Sequence, residues 1–151
     1  MPITRDFLLD ISVELLMWVI VLLGAIFIGK AITLKVLEWA KVPAPLRHIS
    51  TGAESATLLP ATDQERQVLR GGLWIGILER IAVAACMMGG HPALISLILG
   101  VKGLGRYPEL KDNPEASERF LIGTGASILS AIAIGAAGNA ALSALMTVIA
   151  Q

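Results

Sequence analysis

From residue 15 to residue 28 the chain reads LLMWVIVLLGAIFI, without one charged side chain. Such a stretch has three natural settings: the core of a large soluble domain, a cleaved signal peptide, or a lipid bilayer. Its flanks choose between them. Counting back about 20 residues from Lys30, at about 1.5 Å each, a helix crosses a hydrocarbon layer about 30 Å thick and arrives at Asp10. Asp10 then marks one interface, and Glu14 lies about one turn inside it. A signal peptide has a shorter apolar region, a basic flank and small residues at its cleavage site. Asp6, Asp10 and Glu14 argue against that reading. The apolar pattern continues through AITLKVLEWA, so residues 1–40 read as a transmembrane helix with an interfacial extension, anchored by Trp39.

Composition argues against the soluble alternative, a helical domain with an unusually apolar core. The chain has 151 residues, 55% hydrophobic and 16% charged, with a mean hydropathy of +0.73. Soluble domains average about 45–50% apolar and about 25% charged, and a short chain has too much surface to hide the excess. Twelve basic and twelve acidic side chains cancel, which excludes a nucleic-acid footprint. Cys86 has no second cysteine to pair with, so it makes no disulfide within the chain and reads as a packing residue.

Residues 41–70 differ in kind. Pro43, Pro45 and Pro60, scattered polar residues and the lack of a sustained apolar period mark an extra-membrane linker, with a short helix over residues 62–69. His48 has no second ligand at metal spacing, and no metal or cofactor is expected.

Residues 72–105 form the most informative segment. Glu79 and Arg80 interrupt an apolar run that breaks at Gly89, Gly90, His91 and Pro92, then continues to Lys102 and Arg106. Glycine closes helices and proline opens them, so this break predicts a tight helix–helix turn. Folding the segment there puts Glu79 opposite Lys102, each about eleven residues from the turn, with Arg80 and Arg106 on neighbouring turns. Mutual neutralisation then explains charges in a setting where an unpaired one costs at least about 2.5–3.5 kcal/mol. Two depths are open. PALISLILGV makes only about 15 Å of helix. The hairpin is either re-entrant, with its charged base near the interface, or spanning, with the charges near the midplane. An apolar run of about 10–14 residues favours re-entry.

A charged connector over residues 106–119 leads to the last transmembrane helix, residues 120–150. Its Gly123, Gly125, Ser130, Gly135, Gly138 and several alanines let neighbouring backbones approach, which predicts packing inside an assembly. Gly135 and Gly138, beside Asn139, are candidate kink points. GTGAS and GVKGLGR contain parts of nucleotide-binding fingerprints, but neither follows a strand in a βαβ unit. The expected fold class is therefore all-α: an integral membrane bundle with two long transmembrane helices flanking a short hairpin. Residues 71–151 form its membrane domain.

Basic residues set the orientation. Lys30, Lys35, Lys41, Arg47, Arg66 and Arg70 surround the first connector, and Lys102, Arg106, Lys111 and Arg119 the second. The positive-inside rule puts both connectors in the cytoplasm and both termini outside.

Within residues 72–130, GILER, GHPALISLILGVKGLGRYPELKD and ERFLIGTGAS resemble a motif of a family of small bacterial integral membrane proteins of unknown function. The resemblance implies a bacterial inner-membrane location and a shared helical hairpin. It implies no activity.

An enzyme is not expected. Ser127 and Ser130 have no histidine after them to act as a base, and no acid–base constellation exists elsewhere. Two function classes remain. In an oligomeric channel- or transport-like protein, Glu79, Arg80, Lys102 and Arg106 would line or gate a polar path, with Glu14 as an outer ring. One copy has too few helices to enclose a cavity, so that reading needs a homo-oligomer in the bilayer. In a non-conducting scaffold or accessory subunit the charges are locks between helices, and the connectors recruit a cytoplasmic protein partner.

Overall fold

The computed structural model of the chain describes residues 3–41 and 63–149. It consists of helices α1 (Ile3–Trp39), α2 (Asp63–Met88), α3 (Leu94–Leu110) and α4 (Pro114–Ile149), with no strand among the described residues. In an apolar solvent a backbone must satisfy its own hydrogen bonds, and helices do this within one segment. At about 1.5 Å per residue, α1 and α4 are each about 55 Å long.

Each helix runs antiparallel to the next. The α1–α4 contact is the most extensive and is built on small residues. Val21, Ala25 and Gly29 recur every fourth position on α1 and are all buried. Gly24 faces Ile134, and Gly123 faces Leu37. The second half of α2 lies against both long helices, while α3 packs on the outer side of α2 and only lightly on α4. Val83, Ile95, Ile128 and Ala131 form the centre of a small core, with Cys86 packed against it.

Two helices, Asp10–Trp39 and Pro114–Ile149, are long and apolar enough to cross a membrane. Only 11% of the most apolar window of the first and 28% of that of the second is buried within the chain. Leu15, Leu16, Val19, Ile20, Leu23, Phe27 and Ile28 all stand exposed on α1.

Three boundaries differ from the sequence reading. The short helix expected over residues 62–69 is the first part of α2, which begins at Asp63 and runs unbroken to Met88. The linker expected over residues 41–70 is shorter for that reason. His48 and Arg47 lie outside the described residues. Most of the connector expected over residues 106–119 is helical. α3 carries Pro108 in its last turn, where the missing N–H costs a single bond to Leu104. α4 starts almost at once, with the Ala116 N–H donating to Asn113 Oδ1 at 3.0 Å and Pro114 in the first helical position. Only Lys111, Asp112 and Asn113 separate the two helices.

Candidate functional site

The hairpin turn forms as expected. The His91 N–H donates to Cys86 O at 2.8 Å and the Gly90 N–H to Met87 O at 3.3 Å. Gly90 adopts φ +73, completing a Schellman motif whose left-handed position suits glycine. Gly89, Gly90, His91 and Pro92 are all exposed.

Height along the bundle follows from three meeting points. Gly29 of α1 faces Arg80 of α2 and Ser130 of α4. Gly138 of α4 faces Val21 of α1 and Met88 of α2 together. Gly135 sits so close to α2 that a Cβ there would lie 2.7 Å from Met87 Cβ and 2.9 Å from Ala84 O. The charged base of the hairpin is therefore level with Lys30, the end of α2 at Met88 is level with Val21, and Gly89 at the tip faces Trp18. Lys30 to Val21 is a rise of about 14 Å, and Val21 to Asp10 a further rise of about 16 Å. Lys30 to Trp18 is a rise of about 18 Å, so the hairpin covers a little over half of the apolar length of α1.

At the base, Lys102 and Glu79 form the ion pair that their mirror placement predicts. Both side chains are largely buried, 17% and 11% exposed respectively. Lys102 Nζ also lies 5.7 Å from the centre of the Phe120 ring, which ties the pair to α4.

The other members of the expected charge cluster go elsewhere. Arg106 is half-exposed and pairs with Glu109, three residues along its own helix, instead of meeting Arg80. Glu14 is exposed on α1, far above the hairpin base. Arg80 turns away from α3 into the seam between α1 and α4. It is 8% exposed, and Nη1 donates to Ser127 Oγ at 3.4 Å, while Nε is buried without a hydrogen-bond partner. Gly29 makes this possible, since a Cβ there would stand 2.9 Å from Arg80 Cδ.

The small residues of α4 also divide. Gly135 and Gly138 are buried at the α1 and α2 contacts, and Ser130 is buried with its hydroxyl donating to Ser127 O at 2.8 Å. Gly125 has open space where a Cβ would be, and Asn139 is exposed. α4 is one uninterrupted helix through Gly135 and Gly138. Sequence reading missed Gly29 and Gly76, the two glycines that flank the Arg80 side chain. Their only signal is the lack of a side chain.

Two open clefts flank the hairpin base. One, about 490 Å³, lies between α3 and α4 and is lined almost wholly by apolar side chains such as Ile95, Leu99, Ile128 and Ile132. The other, about 200 Å³, lies between α1 and α2 and includes Lys30 and Arg80. Among the described residues no group of three or more His, Cys, Asp or Glu is placed to hold a metal ion. No family model, curated protein or solved structure matches this chain.

Proposed function

We propose that this chain is a subunit of a membrane assembly, a non-conducting scaffold or accessory protein whose intramembrane charges lock a re-entrant hairpin that packs alongside two transmembrane helices. The observation that carries the reading is the Glu79–Lys102 pair, formed within one chain and largely removed from solvent. A conducting path needs its charges gathered on one wet surface. Here Glu79 and Lys102 neutralise each other, Arg106 belongs to Glu109, and Arg80 faces a different cleft.

The membrane placement rests on the two exposed apolar helices and on the half-height hairpin. With Lys30 at one interface and Asp10 at the other, the hairpin enters from the Lys30 side and stops near the midplane. Positive-inside bias makes that side cytoplasmic, and the resemblance of residues 72–130 to small bacterial membrane proteins supports the inner membrane. Re-entrant segments are stable where protein covers them. In this placement His91 at the tip and Asn139, next to the Gly138 that meets Met88, are exposed polar groups near the midplane. A homo-oligomer that covers them removes the cost of leaving them in hydrocarbon, and the cytoplasmic connectors remain free for a protein partner.

Reconstitution tests the reading. Planar bilayers containing the wild-type chain stay silent, and Glu79→Gln lowers thermal stability or assembly without creating a current. Stable unitary currents whose selectivity changes in Glu79→Gln would establish the pore reading instead.

A further inference from the structure

Arg80 is a buried cation with almost no partner among the described residues. Its single hydrogen bond reaches Ser127 Oγ at 3.4 Å, and its Nε has none. The nearest carboxylate in sequence, Glu79, is committed to Lys102. A buried guanidinium left this way is costly unless something else supplies acceptors.

The surroundings indicate what that is. The guanidinium borders the cleft of about 200 Å³ between α1 and α2, and Lys30 lines the same cleft from α1. Among the described residues, no acidic side chain lines it. Gly76 lies beside the guanidinium and adds no side chain over it; a Cβ there would be in contact with Nη1 at 3.5 Å and Nη2 at 4.0 Å. Gly72 adds no side chain either. Thr33 adds no further donor, since its hydroxyl already donates to Gly29 O at 2.8 Å. Two cations, two glycines and, among the described residues, no anion facing a cleft describe a receptor for a group with several anionic oxygens.

We propose that the α1–α2 cleft binds a phosphate group, with Arg80 and Lys30 as its charged donors. The phosphate has two possible sources, an anionic phospholipid headgroup or free inorganic phosphate. Leu34 and Leu73, 57% and 50% exposed, flank the cleft and offer an apolar surface for acyl chains, which favours the lipid. The site is independent of whether the chain conducts.

Native mass spectrometry of the full chain in non-ionic detergent tests this, with phosphatidylglycerol as probe, diacylglycerol as the phosphate-free control and inorganic phosphate as competitor. The expected result is retention of phosphatidylglycerol over diacylglycerol, weakened about 10- to 100-fold in Arg80→Gln, as for a lost hydrogen bond to a charged group, and to a lesser degree in Lys30→Gln. Competition by millimolar phosphate assigns the site to the free ion, and lack of competition assigns it to the lipid. Lys30 is exposed, so Lys30→Gln decides the matter alone if Arg80→Gln fails to fold. Equal lipid retention by wild type and the folded variants overturns the proposal, as does equal binding of diacylglycerol or binding of neither lipid nor phosphate.

Discussion

Glu79 and Arg80 are chain neighbours with opposite surroundings. Successive helical residues point about 100° apart, so one meets α3 and the other meets the α1–α4 seam. The first destination was legible, because Glu79 and Lys102 stand at equal distances from a turn marked by glycine and proline. The second was not. Arg80 passes where Gly29 has no side chain, and no periodicity in the sequence links two residues so far apart. The turn itself depends on a single residue, Gly90 at φ +73. An L-residue there pays a steric penalty of about 1–2 kcal/mol. Gly90→Ala is therefore expected to lower the unfolding free energy in detergent by about 1 kcal/mol. An unchanged midpoint in a denaturant titration would show that the turn does not hold the hairpin.

At the scale of elements, α4 shows how far composition carries. Its small residues announced a closely packed helix, but they occur on every side of it and so gave no phase. The structure supplies the phase: Gly135 and Gly138 face α2 and α1, whereas Gly125 faces open space. The difference predicts a contrast between two chemically identical substitutions. Gly135→Ala forces the α2 backbone at Ala84 to move and is expected to cost about 1–3 kcal/mol, as overpacking does. Gly125→Ala meets nothing and is expected to be neutral, or stabilising by up to about 1 kcal/mol through helix propensity. Thermal unfolding of the two variants side by side measures this, and equal effects would contradict the assigned packing face. The connectors were less legible than the helices. A proline reads as a break, yet Pro108 sits late enough in α3 that the helix absorbs it, and Asn113 with Pro114 restarts α4 within one turn.

At the scale of the molecule, two long apolar helices pack directly on each other, and a hairpin that rises a little over half the apolar length of α1 lies alongside them. In the proposed placement the Lys111–Asn113 turn faces the cytoplasm and Asp10 the opposite side. Single cysteines introduced at Asp112 and Asp10, in a Cys86→Ser background, test this with an impermeant thiol reagent. Asp112→Cys is expected to react only in inverted vesicles and Asp10→Cys only in intact spheroplasts, and reaction of both from one side would refute the two-span topology. The central claim is that Glu79 and Lys102 form a dry lock between α2 and α3. Charge exchange examines it most directly, by unfolding Glu79→Lys, Lys102→Glu and the double exchange in nanodiscs. Each single variant puts like charges together in a largely buried site and is expected to lose about 3 kcal/mol, with the double variant recovering more than half of that loss. Single variants as stable as the wild type, or a double variant no better than either, would contradict the lock.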